Sequence, residues 1–132
     1  MTLARQIFAN TLFVSDILSS TRFYVKVFGV DPVFKDENST VFKFGEVLIN
    51  LLLESEAREL VAPAQVAKKV SGSRFQLTLQ VADVDSEMDR LEEIGIELLN
   101  GPIDRPWGVR TALFADPDGH LWELAQQIAT YQ

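Results

Sequence analysis

Apolar and polar positions alternate or recur along the chain in a way that predicts short strands and two helices. Ile7 to Val14 reads as a strand, with Leu12 and Val14 on one face and Thr11 and Phe13 on the other. Asp16 or Ser19 is placed to cap a helix whose stripe is Phe23, Val27 and Phe28, with Tyr24 beside it. Gly29 follows at the position where helices end in a left-handed residue. Val33 to Lys35 predicts a strand, and Asp36 to Ser39 a polar turn. Thr40 to Phe44 and Val47 to Leu53 predict a hairpin about Gly45-Glu46. Glu54 to Ser73 breaks the pattern and reads as a connector, with a helical turn expected around Pro63 to Val70.

The order then repeats. Phe75, Leu77, Leu79 and Val81 alternate with Gln76, Thr78 and Gln80. Asp83 is the cap, Val84, Met88, Leu91 and Ile94 the helical stripe, and Gly95 the stop. Ile96 to Leu99 predicts a strand, and Gly101-Pro102, Pro106 and Gly108 a loop. Val109 to Ala115 and Leu121 to Gln126 predict strands joined by Asp116-Pro117-Asp118-Gly119. Leu12, Val14 and Asp16 correspond to Leu79, Val81 and Asp83, each 67 residues later. The fold class expected is α+β: one domain over 1–132 built from two βαβββ modules, 5–54 and 74–127, joined by the connector 55–73. Each module has one helix for one sheet face, so the other face needs a different cover.

Composition narrows the chemistry. The chain has 132 residues, which is the size of one domain. Its longest apolar run, Val47 to Leu53, is interrupted by Asn50 and falls far short of the ~20 residues of a membrane span. No signal peptide is read at Met1-Thr-Leu-Ala-Arg. There is no cysteine, which excludes disulfides and thiolate chemistry and points to the cytoplasm. A net charge of −7 argues against nucleic acid and favours a neutral or cationic small ligand. No Gly-x-Ser-x-Gly elbow and no Gly-x-Gly phosphate loop is present, so nucleophilic catalysis and phosphate cradling have no visible seat.

Phe13-Val14-Ser15-Asp16 with Phe23-Tyr24 and Phe28-Gly29, then Val81-Ala82-Asp83-Val84-Asp85, resembles the module openings of the vicinal oxygen chelate superfamily. That superfamily holds glyoxalase I, extradiol dioxygenases and bleomycin-resistance proteins. Pro106-Trp107-Gly108 and Asp116-Pro117-Asp118-Gly119-His120-Leu121-Trp122-Glu123-Leu124 resemble its closing hairpin. The resemblance covers residues 7 to 127. It implies a curved, cup-like mixed sheet with helices outside, and commonly a homodimer. It also implies metal positions at Ala9, Gln76, Asn50 (to within one residue) and Glu123. Ala9 cannot ligate and Asn50 and Gln76 are neutral amides, so the expectation is no metal; if one binds, Glu123, Gln76 and Asn50 would hold it. His120, the single histidine, sits three residues from Glu123, on the opposite face of a strand.

The cup face is expected to carry Ala9, Thr11 and Phe13, Gln76, Thr78 and Gln80, and Leu121, Glu123 and Ala125. Leu12, Val14, Phe75, Leu77, Leu79, Trp122 and Leu124 are expected to face the helices. Candidate ligand-binding residues are Thr11, Phe13, Asn50, Gln76, Thr78, Gln80, Trp107 and Glu123. Trp107 either stacks on a planar ligand or packs at a seam. Arg105 and Arg110 flank its loop and either hold a carboxylate or pair with the Asp116 and Asp118 turn. The expected function is metal-independent binding of an amphipathic or aromatic molecule. The alternatives are a divalent-metal glyoxalase- or dioxygenase-like enzyme, or a paired module that serves assembly alone.

Overall fold

The computed structural model describes residues 2–129. Met1, where the signal-peptide reading begins, and the 130–132 end of the expected domain lie outside the described residues. The chain divides into two compact units between Lys68 and Lys69. Each holds a four-stranded mixed sheet. The secondary structure is α+β, with a βαβββ order repeated.

In the first unit, β1 (Ala9–Val14) leads into α1 (Ile17–Phe28), then β2 (Phe34–Lys35), β3 (Ser39–Phe44) and β4 (Val47–Leu53). The sheet order is β1-β4-β3-β2, with β1 parallel to β4 and the other pairs antiparallel. Asp16 is the cap of α1: its Oδ1 accepts from the Leu18 and Ser19 N–H groups at 3.0 and 3.3 Å. Gly29 takes φ 63° to end the helix. Tyr24 and Val27 of α1 are buried against the sheet with Leu12, Val14, Phe42, Ile49 and Leu51. The Tyr24 ring stacks on Phe28 and Phe42 with centroids at 5.5 and 5.9 Å. Such pairs add about 0.5–1.5 kcal/mol beyond their area burial. Thr21 Oγ1 donates to the Ile17 carbonyl at 2.6 Å and lies 2.8 Å from Thr40 Oγ1. Its single proton is thereby used, so Thr40 donates to Thr21 and ties the helix to β3.

The helix expected near Pro63 stands earlier in the chain. α2 (Glu54–Val61) follows directly on β4, buries Ala57 and packs on β1 and β4. Glu54 and Glu56 in its first turn suit the positive end of the helix dipole, and the helix stops ahead of Pro63. Only one 3₁₀ turn, Lys69–Ser71, follows before the next strand.

The second unit runs β5 (Gln76–Gln80), α3 (Val84–Glu93), β6 (Leu98–Arg105), β7 (Val109–Ala115) and β8 (Leu121–Gln127). Its order is β5-β8-β7-β6, with β5 parallel to β8. Asp83 caps α3, accepting from Ser86 N at 3.2 Å and Ser86 Oγ at 2.9 Å. Gln126 Oε1 accepts from Val84 N at 3.0 Å, so β8 also satisfies an orphan donor of the helix. Val84, Met88 and Leu91 are buried with Ala112, Phe114, Trp122 and Leu124. Phe75 corrects its expected place: it precedes β5 and is exposed, whereas Leu77 and Leu79 are half-buried.

The loop expected at Gly101-Pro102 is instead the middle of β6. β6 is an edge strand, where a proline costs no ladder bond, and its register against β7 shifts between Leu98 and Asn100 and again between Asn100 and Ile103. Gly101 sits at φ 90°, and a Cβ there would overlap the Thr111 carbonyl oxygen and come 2.7 Å from Ala112 Cα. Pairing with β7 therefore outweighs the turn-forming character of Gly-Pro.

Candidate functional site

Strand register decides which side chains share the sheet faces turned away from α1 and α3. In the first unit Thr11 pairs with Asn50, flanked by Ala9 opposite Leu48 and Phe13 opposite Leu52. In the second, Thr78 pairs with Glu123, flanked by Gln76 opposite Leu121 and Gln80 opposite Ala125. Asn50 and Glu123 thus hold matching places, two positions into the parallel pairing beyond Ala9 and Gln76.

The two pairs differ in chemistry. Asn50 Nδ2 donates to Thr11 Oγ1 over a long 3.4 Å, and Asn50 Oδ1 is buried without a partner among the described residues. Thr78 Oγ1 donates to Glu123 Oε1 at 3.1 Å. Gln76, Thr78 and Gln80 are exposed and Glu123 is half-buried. The structure brings together Thr11 with Asn50 and Thr78 with Glu123, each pair within its own unit.

Trp107 lies in the tight turn from β6 to β7 and is 57 % exposed. Gly108 N–H donates to the Arg105 carbonyl at 3.1 Å, and the Gly108 carbonyl accepts from Ile128 and Ala129 N–H groups at 3.0 and 3.2 Å. These bonds close the turn that carries Trp107.

His120 is engaged through its backbone. Its N–H donates to Asp116 Oδ1 at 2.8 Å and its carbonyl accepts from Asp116 N–H at 3.0 Å. Asp116, 5 % exposed, also accepts from Asp118 N–H at 3.0 Å and so organises the turn. The arginine pairing expected with this turn is corrected. Arg110 Nη1 meets Asp104 Oδ1 at 2.8 Å and Nη2 meets Asp85 Oδ1 at 3.1 Å, fastening β6, β7 and α3 together. The hydrogen bonds that Arg110 donates, to Asp85 first and then to Asp104, raise its pKa above the ordinary value. Arg105, by contrast, donates from Nε to Thr111 Oγ1 at 3.0 Å. Sequence reasoning named Arg105 without preferring it. The hairpin spacing Arg105-Pro-Trp-Gly, with Thr111 six residues on, is the signal that could have singled it out.

Positions implied for a divalent metal fit one poorly. Ala9 has no donor, Asn50 and Gln76 offer amides, and Glu123 alone brings charge, with one oxygen already accepting from Thr78. Among the described residues no three His, Asp or Glu side chains gather in one place. No helix there is long and apolar enough to cross a membrane.

A profile of the Glyoxalase/Bleomycin resistance protein/Dioxygenase superfamily matches residues 6–124, and the chain belongs to that family. It is 36 % identical over 124 residues to the uncharacterized protein YraH of Bacillus subtilis, covering 89 % of this chain and 94 % of that one. A glyoxalase-related enzyme from Fulvimarina pelagi superposes with a TM-score of 0.82 at 29 % identity, covering 94 % of this chain and 89 % of the other. TnmS3, an antibiotic binding protein from Streptomyces sp. CB03234, superposes at 0.73 with 26 % identity over 96 % and 99 % of the two chains.

Proposed function

We propose that this protein binds an aromatic or amphipathic small molecule without a metal, on the open sheet face of its second unit. The observation that carries the reading is the Thr78–Glu123 pair, one carboxylate among neutral, short, hydrogen-bonding side chains, with Trp107 exposed on the same unit. A ligand gains orientation from few polar groups and affinity from apolar contact, which this face and an indole supply. The ligand body is neutral or cationic, in keeping with a net charge of −7 and with Glu123. The likeness to an antibiotic binding protein supports the same class. A cytoplasmic homodimer is part of the proposal, with exposed Phe8, Phe34 and Phe75 as apolar surface for a second copy to cover.

One observation favours a metal-dependent enzyme instead: Asn50 Oδ1 is buried and unpaired among the described residues, and a cation would satisfy it. Metal analysis after incubation with Mn, Fe, Co, Ni and Zn separates the readings. Near-stoichiometric metal that disappears in Glu123→Ala overturns the binding-protein reading. No retained metal, together with quenching of Trp107 fluorescence by aromatic amines that is lost in Trp107→Phe, is the expected result.

A further inference from the structure

Neighbouring residues on β6 and β7 point to opposite faces of the sheet, and the hydrogen bonds confirm the division. Asp104 pairs with Arg110, and both reach Asp85 of α3 or each other on the helix side. Arg105 pairs with Val109 and bonds Thr111, on the side away from α3. Thr111 in turn pairs with Ala125 and Leu113 with Glu123, so Arg105 shares its face with the Thr78–Glu123 pair.

The two arginines are in opposite electrostatic situations. Two carboxylates take the Nη1 and Nη2 groups of Arg110, while its Nε is buried without a partner among the described residues. Arg105 is half-buried, and among the described residues no carboxylate pairs with it. Its Nε is pinned at 3.0 Å to the hydroxyl of Thr111, which is 1 % exposed, so the guanidinium is fixed at its base. Both Nη groups, the part of the fork that matches a carboxylate, have no partner among the described residues. A partly desolvated cation without a counter-ion is a cost that an incoming anion removes.

We infer that Arg105 recognises a carboxylate on the ligand, with the Trp107 indole receiving the planar part attached to it. This deepens the proposed binding function and rests on it, adding one anionic group to a ligand whose body is otherwise neutral or cationic. Arg105 and Trp107 come from one turn whose backbone the Gly108 bonds close, so the main chain that carries cation and ring is ordered before binding, which reduces the ordering cost. A bidentate guanidinium–carboxylate contact has the geometry that lysine lacks. The net charge of −7 is a sum over the whole chain, most of it distant from any one site. Beyond a screening length of about 8 Å at physiological salt its repulsion of an anion fades, and at contact the local cation decides.

Benzoate, its neutral counterpart benzamide, and benzylamine are the probes, with affinities read by ligand-detected NMR titration. The full chain is compared with Arg105→Gln and Arg105→Lys, their folds checked by circular dichroism. Benzoate is expected to bind about tenfold more tightly than benzamide, in line with a charge-assisted bond. Arg105→Gln is expected to erase that preference while leaving benzamide within about twofold, and Arg105→Lys to keep part of it, as one-point rather than bidentate contact predicts. Equal binding of benzoate and benzamide, or a preference that survives in Arg105→Gln, overturns the inference. If benzamide or benzylamine binds and benzoate does not, the carboxylate inference falls while the binding-protein reading stands. If none of the three binds at millimolar concentration, both fall together.

Discussion

The two βαβββ modules reach the same topology with different materials. In the first, the helix brings the aromatic ring: Tyr24 of α1 stacks between Phe28 and Phe42, and Phe28 meets Phe44 edge-on at 5.1 Å. In the second, the helix is aliphatic, with Val84, Met88 and Leu91, and the large rings come from the sheet as Trp122 opposite Phe114. The edges diverge as well. β2 has two residues, whereas β6 has eight and bends at two register shifts. On the faces away from the helices a neutral Thr11–Asn50 pair stands where the other module has Thr78–Glu123. The longer β6 carries Arg105 and the turn of Trp107, and the second module holds the only carboxylate among those matched positions. A duplicated frame thus keeps its core interchangeable while its polar face specialises in one copy.

The core contrast is broken most severely by Trp122→Ala. Trp122 is 1 % exposed and ranks first in volume among the fully buried side chains. Its removal is expected to cost about 3–5 kcal/mol, measured by urea unfolding. A loss below about 1 kcal/mol would mean that the sheet-borne ring is not what fills the second core. Gly101→Ala should come next, at roughly 2–3 kcal/mol, because a Cβ meets backbone atoms of Thr111 and Ala112 and the φ of 90° disfavours a side chain. Gly45→Ala tests the same φ effect in the first module, where φ is 60° but a Cβ has open space, so it should cost less.

Much of this frame could be read from residues close in sequence. Asp16 and Asp83 are the side-chain caps of α1 and α3, Gly29 and Gly95 take positive φ near the ends of those two helices, and Leu12 and Val14 face the core, as alternation and capping chemistry require. What escaped depends on partners far along the chain. Gly101-Pro102 has turn chemistry, yet β7 recruits it as strand. α2 begins at Glu54 because Ala57 docks on β1 and β4, which no local period near Pro63 could announce. The Asn50 register, uncertain by one residue in the sequence, follows from its pairing with Thr11. Arg110 meets Asp85 and Asp104 instead of the Asp116 turn because it stands at the start of β7 while Asp116 lies past that strand's far end, about 20 Å away at ~3.3 Å per residue.

Polar pairs on the open faces should respond less, and in opposite senses. Asn50→Leu removes a buried oxygen that has no donor among the described residues, so stability is expected to stay level or rise by about 1 kcal/mol. A loss of more than 1 kcal/mol would show that Oδ1 is satisfied in solution. Glu123→Gln keeps an acceptor for Thr78 and should change stability by less than about 0.5 kcal/mol, while weakening benzylamine binding several-fold. If both substitutions behave alike in stability and binding, the claimed division between a neutral and a charged module is wrong.

The smallest expected effect lies in acid, and here the modules are alike. Asp36 in the first and Asp83 in the second both have a pKa below the ordinary aspartate value. For Asp36 the main cause is the Asn38 N–H, with Ser39 assisting; for Asp83 it is the Ser86 N–H and then the Ser86 hydroxyl. A carboxyl more acidic in the folded than in the unfolded chain stabilises the fold fully above its unfolded pKa of about 3.9, and that contribution disappears as pH falls through the folded value. Asp36→Asn and Asp83→Asn should therefore flatten the acid limb of stability below about pH 4, each modestly because both groups are solvent-exposed. Urea midpoints from pH 6 down to pH 2 would reveal it. The two variants should lose similar slopes, since each carboxylate accepts from backbone N–H and a serine hydroxyl three residues on, Asp36 in the turn before β3 and Asp83 at the start of α3. A slope lost from only one of them would mean that the other carboxylate's bonds are already open in solution.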